Sequence, residues 1–142
     1  MQPKTKVLFL CTGNACRSQM AEGFARALRP DDIEAYSAGI DPHGLDPLAV
    51  KAMAEAGVDI AGQRSKGVEA LPLREFDYVV TLCGHASENC PYFPGAVKRL
   101  HAGFDDPPTL AQDAKTEEEA LVHYRRVRDA IRRFVQEFPP GA

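Results

Sequence analysis

An apolar strand near the start of the chain runs into a short loop and then directly into a helix. Residues 7–10 read Val-Leu-Phe-Leu, a continuous apolar run that suits a strand buried on both faces. A helix is predicted from Ser18 to about Leu28, with apolar residues on one face and Pro30 ending it. This strand–loop–helix unit is typical of α/β folds.

The same alternation of strands and helices continues along the chain. Further strands are predicted at residues 33–38, 78–82 and 97–100, and helices at 46–56, 68–73 and 117–138. The last helix is the most regular, because its apolar residues recur every three or four positions and its arginines fall on the face expected in solvent. Alternating elements predict a parallel sheet with right-handed crossovers, in which ligands bind at the carboxyl ends of the strands.

Composition limits the partners that such a chain is expected to have. With 142 residues, of which 44% are hydrophobic, one domain spanning residues 1–142 is predicted. A net charge of −3 without a basic run disfavours nucleic acid and anionic membranes as partners. No apolar stretch approaches the roughly 20 residues that span a bilayer, and the first residues lack the hydrophobic region of a secretory signal. A cytoplasmic location, with the cysteines reduced, is therefore expected.

The loop between the first strand and the first helix carries a thiol and a guanidinium. Cys11 ends the strand and Arg17 follows six positions later. A loop that turns successive backbone N–H groups inward at a helix N-terminus binds anions, and this positive environment lowers the pKa of a thiol. Arg17 is suited to donate two hydrogen bonds to a tetrahedral oxyanion. We therefore expect Cys11 to be ionised at neutral pH and to attack a phosphate-like anion.

Other residues of the loop support an oxyanion site. Gly13 allows a positive φ, and Asn14 tolerates left-handed backbone. Ser18 either caps the helix or donates a hydrogen bond to the Cys11 thiolate. The predicted oxyanion-binding residues are Thr12, Gly13, Asn14, Ala15, Cys16, Arg17 and Ser18. The alternative, a buried structural cysteine, leaves the glycine, asparagine and arginine without a role.

The remaining cysteines suggest a thiol–disulfide relay. Cys11 and Cys83 each follow a predicted strand, so both belong at the same edge of the sheet, and Cys90 lies seven positions after Cys83 across a polar, flexible segment. Cys83 would attack Cys11, and Cys90 would then attack Cys83 to leave a Cys83–Cys90 disulfide. Metal binding by Cys83 and Cys90 with His85 or His101 is an alternative, but the close cysteine pairs of zinc sites are missing, so no metal is predicted. A packing role for the two cysteines is another alternative, and Cys16 is interpreted as structural.

A carboxyl group is expected at the same edge of the sheet. Asp105 and Asp106 follow the fourth predicted strand, where a carboxyl group is placed to protonate a departing oxygen. Asp105 is the predicted acid, because Asp106 precedes a proline and is assigned to the turn. His43 is interpreted as a loop hydrogen-bonder rather than a base.

Five motifs together resemble the thioredoxin-coupled arsenate reductases, which share the fold of the low-molecular-weight protein tyrosine phosphatases. They are Cys-Thr-Gly-Asn-x-Cys-Arg-Ser-Gln-Met-Ala-Glu at 11–22, Tyr-Ser-Ala-Gly-Ile at 36–40, Val-Val-Thr-Leu-Cys at 79–83, Asn-Cys-Pro at 89–91 and Gly-Phe-Asp-Asp-Pro at 103–107. The resemblance implies a four-stranded parallel sheet flanked by helices in three layers, and no cofactor. It implies a role in arsenic detoxification, with arsenate as substrate and thioredoxin as the partner that reduces the final disulfide.

The same resemblance assigns the residues of the site. It implies Cys11 as nucleophile, Cys83 and Cys90 as the relay, Arg17 as oxyanion binder and Asp105 as acid or base. Arsenite would leave when Cys83 attacks Cys11.

The chain departs from the family pattern at one position. Some members hold potassium near the loop with residues that resemble Asn14, Glu22 and Ser37 and with an aspartate. Lys66 stands where that aspartate would be, so its ammonium group is expected beside Glu22, and no potassium requirement is predicted.

Two other functions remain open from the sequence. A phosphatase would use Cys11, Arg17 and Asp105 but would not need the Cys83–Cys90 pair, and it would carry aromatic residues where this chain has Pro108 and Thr109. Some phosphatase activity is still expected, because phosphate and arsenate are near isosteres. A redox-sensing or arsenic-binding protein would leave the arginine and the anion-binding loop without a role.

Overall fold

A four-stranded parallel sheet forms the centre of the protein, as the sequence predicts. The structure is a computed structural model that describes residues 3–88, 90, 93–95 and 97–140. The strands are β1 (Thr5–Cys11), β2 (Ile33–Gly39), β3 (Tyr78–Thr81) and β4 (Lys98–His101), in the spatial order β2-β1-β3-β4. The helices are α1 (Arg17–Leu28), α2 (Pro47–Glu55), α3 (Gly84–Glu88), α4 (Pro107–Leu110) and α5 (Glu117–Gln136), with a 3-10 helix at Val68–Ala70.

The register of the sheet brings the ends of β1 and β3 together. All three strand pairings are parallel, and Leu10 of β1 is opposite Thr81 of β3. The Leu82 N–H continues the ladder by donating to the Leu10 carbonyl at 2.9 Å. Because Cys11 and Cys83 each follow directly, the two cysteines lie at the same carboxyl edge, as predicted.

Both faces of the sheet are covered, which gives three layers. Alternate side chains of β1 point to opposite faces, so Phe9 packs in one cluster and Leu8 in the other. The Phe9 cluster receives side chains of α1, α2 and α5, including Phe24 and Tyr124. The Leu8 cluster is closed by the 3-10 helix, by Ala86 of α3 and by aromatic rings around residues 76 and 93. The apolar stripe predicted for the last helix is buried against the first of these layers.

Three local expectations need correction. Ser18 does not cap α1, because the helix begins at Arg17 after Cys16, and the Ser18 hydroxyl instead accepts a hydrogen bond from the Asn14 amide at 2.8 Å. The segment predicted to be flexible after Cys83 forms α3 over its described part. The helix predicted at 68–73 is a single 3-10 turn.

Some expectations fall outside what the structure describes. The residues at 89 and 91 in the Asn-Cys-Pro motif, and the side chain of His85, lie outside the described residues. Within the described ranges, no helix has both the length and the apolar character needed to cross a membrane.

Candidate active site

The loop from Cys11 to Arg17 turns its carbonyl groups away from its own centre. Five successive carbonyls, from Cys11 to Ala15, each accept a hydrogen bond from a neighbouring segment. The donors are the backbone N–H groups of Ile40, Asp41, His43 and Asp46 and the side-chain amide of Gln19, at 2.8–3.1 Å. In a trans peptide the N–H points opposite to the carbonyl, so these contacts aim successive N–H groups into the loop.

The inward N–H groups form a cradle for an anion. Among the described residues, the N–H groups from Gly13 to Ser18 have no protein acceptor, while the Thr12 N–H hydrogen-bonds to the Cys11 sulfur. The N-terminus of α1 adds its positive end to the same place. Asn14 has φ of 48°, the left-handed conformation that was expected of it.

Two glycines lie in close contact with neighbouring groups, and at Gly39 these groups are backbone atoms. Gly13 does not adopt the expected positive φ; instead, a Cβ at that position would lie 2.7 Å from the His43 ring, which packs against the loop. At Gly39 a Cβ would lie 2.8 Å from the Thr12 carbonyl oxygen and 2.9 Å from the Asn14 nitrogen. The loop thus packs closely against the His43 side chain at Gly13 and against the backbone of β2 at Gly39.

Arg17 is held at the first turn of α1 with part of its guanidinium group available. The side chain is largely buried, and Nη1 donates to the Phe104 carbonyl at 2.8 Å. Nη2 lies 3.4 Å from the Asp106 carboxylate. Nε is buried and has no hydrogen-bond partner in the part of the chain that the structure describes. A buried donor of this kind is costly without an acceptor, which an oxyanion in the cradle would provide.

Asp106, rather than Asp105, lies beside the arginine. The Asp105 carboxylate is 65% exposed and pairs with Arg126 of α5 at 3.3 Å. Asp106 is the residue that precedes α4, and its carboxylate also accepts a hydrogen bond from the Thr109 hydroxyl at 2.7 Å. Sequence reasoning assigned Asp106 to a turn. The sequence Asp-Pro-Pro-Thr at 106–109 is typical of a helix N-terminus, with the aspartate just before the first helical residue. This pattern could have indicated the position of Asp106.

The Cys11 and Cys83 thiols are in direct contact. Cys11 hydrogen-bonds to the Cys83 sulfur, which also shares a hydrogen bond with the Thr12 hydroxyl at 3.1 Å and accepts one from the Ala86 N–H at 3.4 Å. The Cys11 hydrogen bond, followed by the Thr12 and Ala86 donors and the charge of Arg17, lowers the pKa of Cys83 to about 4 despite its partial burial. The same hydrogen bond and burial raise the pKa of Cys11.

The two pKa values therefore shift in opposite directions and favour the thiolate on Cys83, whereas the sequence predicted it on Cys11. The charge of Arg17 favours the thiolate form of Cys11, but the Cys83 contact and burial outweigh it. One proton is shared between two sulfurs, and the donors around Cys83 determine which of them holds it.

Burial raises the pKa of the other two cysteines, Cys16 and Cys90. Cys16 is 4% exposed, and its pKa is raised by burial and then by the nearby carboxylates of Asp46 and Asp106. Cys90 is half-buried, and burial raises its pKa, while the charge of Arg99 acts in the opposite direction. Cys11, Cys16 and Cys83 are not joined in disulfides. Among the described residues, no His, Cys, Asp and Glu side chains group together as a metal site would require.

A buried polar cluster supports the loop from behind at Asn14. The Asn14 amide donates to the Ser37 hydroxyl at 3.0 Å, and this hydroxyl donates to Glu22 at 2.6 Å. The Lys66 ammonium lies 3.8 Å from the same Glu22 oxygen and 3.1 Å from the Arg64 carbonyl. Lysine thus occupies the position beside Glu22 that the sequence predicted for it.

Comparison with known proteins agrees with this geometry. The family model for low molecular weight phosphotyrosine protein phosphatase matches residues 6–139, and the chain belongs to that family. An arsenate reductase from Bacillus subtilis (strain 168) is 52% identical over 132 residues, which are 93% of each chain. The expected resemblance to arsenate reductases is therefore confirmed.

Solved structures give the same result. The structure described as an arsenate reductase in the oxidized state superposes with a TM-score of 0.73 at 32% identity, covering 93% of this chain and 94% of that one. A thioredoxin-dependent arsenate reductase from Corynebacterium glutamicum has a TM-score of 0.62 at 26% identity, covering 95% of this chain and 63% of that one.

Proposed function

We propose that the protein reduces arsenate to arsenite through a relay of Cys11, Cys83 and Cys90, with thioredoxin as the final reductant. The observation that carries this proposal is the pair formed by Cys11 and Cys83 beside the anion cradle. A phosphatase of this fold needs a nucleophilic cysteine and an arginine. Phosphoester hydrolysis does not require a second thiolate beside the nucleophile. The 52% identity to an arsenate reductase supports the same activity.

The first step forms a bond between sulfur and arsenic. Arsenate binds to the N–H groups of the loop and to Arg17, and the Cys11 sulfur attacks arsenic. One arsenate oxygen departs as water, taking the Cys11 proton and a second proton from the substrate hydroxyl or an acid. Arsenic remains at oxidation state five, so no electrons have moved.

The acid that we propose for this step is Asp106 in place of Asp105. Asp106 stands 3.4 Å from Arg17, which would bind the substrate, while Asp105 is engaged with Arg126 on the outer face. A carboxyl group at this position is suited to protonate the departing oxygen.

The second step transfers two electrons. The Cys83 thiolate attacks the Cys11 sulfur, a Cys11–Cys83 disulfide forms, and the sulfur–arsenic bond breaks with its electron pair staying on arsenic. Arsenite therefore leaves, and the two cysteines are oxidised. The donors to the Cys83 sulfur keep it ionised at neutral pH, which is the form that attacks.

The third step moves the oxidation away from the nucleophile. Cys90 attacks Cys83, which leaves a Cys83–Cys90 disulfide and returns Cys11 to its thiol form. A dithiol reductant of the thioredoxin class then reduces this disulfide and is itself oxidised. The relative from Corynebacterium glutamicum is a thioredoxin-dependent arsenate reductase, which supports this choice of reductant.

A phosphatase side activity is the second candidate. The cradle and Arg17 fit phosphate as well as arsenate, because both are tetrahedral oxyanions of similar size. Neither Pro108 nor Thr109 offers an aromatic ring for a phosphotyrosine side chain, so the side activity is expected to be weak.

An assay of coupled turnover tests the proposal. NADPH oxidation is followed with arsenate, thioredoxin and thioredoxin reductase, with and without the protein. Arsenate-dependent NADPH oxidation at many turnovers per chain is expected. If arsenate causes no NADPH oxidation while an aryl phosphate is hydrolysed at many turnovers, the reductase proposal is wrong and the phosphatase hypothesis replaces it.

A further inference from the structure

A hydrogen bond from α5 reaches the residue that holds the Ala15 carbonyl of the oxyanion loop. The Tyr124 hydroxyl donates to the Asp46 carboxylate at 2.6 Å, across 78 positions of the chain. Asp46 precedes α2, and the other oxygen of its carboxylate accepts the Leu48 N–H at 2.9 Å. Its own backbone N–H donates to the Ala15 carbonyl at 3.0 Å. Asp46 is thus fixed through both its side chain and its backbone.

The contact at Ala15 determines the direction of the next N–H group. The carbonyl of Ala15 and the N–H of Cys16 belong to one planar trans peptide, so they point in opposite directions. When Asp46 holds the carbonyl outward, the Cys16 N–H points into the cradle. The next peptide, Cys16–Arg17, leads into α1, so this donor lies where the cradle meets the helix N-terminus.

Tyr124 is suited to hold Asp46 in this position. Its ring is 3% exposed within the α5 layer, and burial followed by the Asp46 contact raises the pKa of its hydroxyl, so the hydroxyl remains a donor. A buried hydroxyl that has a charged acceptor makes one of the stronger hydrogen bonds in proteins. The Asp46 carboxylate is also close enough to raise the pKa of Cys16, which confirms that it lies against this end of the loop.

We propose that Tyr124 and Asp46 form a positioning pair that holds the Ala15–Cys16 peptide in the orientation that binds the oxyanion. Neither residue contacts the substrate. They act through the backbone, because they keep the Cys16 N–H directed into the cradle before the anion binds. This inference rests on the proposed function of the cradle and extends it to two residues on α5 and at the start of α2.

The hydrogen bond between Tyr124 and Asp46 is expected to affect anion binding, which packing of the Tyr124 ring alone would not do. In Tyr124→Phe the ring is retained and only the hydroxyl is lost, so the Asp46 carboxylate loses one of its two donors. A less well fixed Asp46 leaves the Ala15–Cys16 peptide free to turn, and the cradle then loses a donor to the oxyanion. Anion affinity is therefore expected to fall by about five-fold, the effect of one ordinary hydrogen bond.

Titration calorimetry with inorganic phosphate on the reduced protein tests this inference. Tyr124→Phe is expected to raise the Kd for phosphate by about five-fold, and to raise the KM for arsenate by a similar factor with a smaller change in kcat. The matched control is Tyr78→Phe, because the Tyr78 ring packs on Phe138 and its hydroxyl makes no hydrogen bond among the described residues. This control is expected to leave the Kd for phosphate unchanged.

A second pair of variants separates positioning from stability. Asp46→Asn keeps one of the two acceptor oxygens, so it is expected to weaken phosphate binding less than Asp46→Ala does. The Tm of every variant is recorded alongside. A lower Tm for Tyr124→Phe with an unchanged Kd for phosphate would reduce the pair to a structural contact and overturn the inference. If the wild-type protein itself bound no phosphate, the cradle proposal would fail and this inference with it.

Discussion

The hydroxyl of Thr12 lies 3.1 Å from the sulfur of Cys83, although the two residues are 71 positions apart in the chain. Thr12 is also the residue whose N–H bonds to the Cys11 sulfur, so one residue of the loop serves both thiols. Its position follows from the parallel register of β1 and β3, which end side by side. The anion cradle and the second thiol are consequently parts of one site rather than two.

The site is expected to hold one thiolate at neutral pH, on Cys83. The pKa of Cys83 is lowered to about 4, so the thiolate persists as pH falls and is lost only as pH drops through about 4. Ultraviolet absorbance of the thiolate, titrated on the reduced protein, checks this.

Cys83→Ser is expected to abolish the low-pH transition. Cys11→Ala removes the largest of the hydrogen bonds to Cys83, so it is expected to move the transition upward while keeping it. The reverse pattern, with the transition surviving in Cys83→Ser and absent in Cys11→Ala, would place the charge on Cys11.

Replacement of Cys83 is expected to separate reduction from hydrolysis. Cys83→Ser removes the sulfur that would displace arsenite, so arsenate-dependent NADPH oxidation should fall to background. Cys11, Arg17 and the loop remain, so hydrolysis of an aryl phosphate should keep most of its wild-type rate. Both activities are measured on the same preparation. A parallel loss of both would mean that Cys83 is needed to build the site rather than to carry electrons.

Cys90→Ser is the matched control for that experiment. It leaves the Cys11–Cys83 pair intact, so one arsenite per chain is expected in a single-turnover measurement, followed by a stall with thioredoxin as reductant. Sustained turnover by this variant would remove Cys90 from the relay.

The sequence predicts the framework of the site well, because the framework depends on periodicity and strand order. The apolar run of β1, the loop that follows and the parallel crossovers place Cys11 and Cys83 at one edge. The left-handed Asn14 is also predictable, since few residues other than glycine tolerate that conformation. These features depend on local chemistry or on general rules of topology.

The choice between neighbouring groups is not predictable in the same way. Asp105 and Asp106 are adjacent and chemically identical, and only the start of α4 directs one of them toward Arg17. The location of the charge on Cys83 depends on donors from Thr12 and Ala86 that meet only in the folded chain. Periodicity likewise places Tyr124 in the apolar stripe of the last helix, but it gives no sign of the hydroxyl's partner.

The two aspartates offer a direct comparison. Asp106→Asn is expected to lower kcat for arsenate reduction by about 100-fold, because it removes the acid beside Arg17. Asp105→Asn breaks only an exposed ion pair with Arg126, so its effect is expected to stay within about two-fold. Steady-state kinetics on both variants, with phosphate binding as a check that the cradle is intact, measures this. A large loss in Asp105→Asn with little change in Asp106→Asn would restore the assignment made from sequence.

Lys66 is expected to make the protein independent of potassium. Its ammonium lies 3.8 Å from the buried Glu22 carboxylate and 3.5 Å from the Ser37 hydroxyl, and burial lowers its pKa although Glu22 acts in the opposite direction. Lys66→Met leaves Glu22 with Arg26 as its remaining ion-pair partner, so the free energy of unfolding should fall by about 2 kcal/mol, less than for a fully buried pair.

Denaturant unfolding in potassium and in sodium at equal ionic strength measures this effect. The control is Lys51→Met, which breaks an exposed pair with Glu117 and is expected to cost less than about 1 kcal/mol. In the wild type, exchanging sodium for potassium is expected to change neither the free energy of unfolding nor the KM for arsenate, since the lysine already supplies the positive charge beside Glu22. Strong stabilisation of the wild type by potassium, or a marked fall in its KM for arsenate, would show that a cation binds here in spite of Lys66.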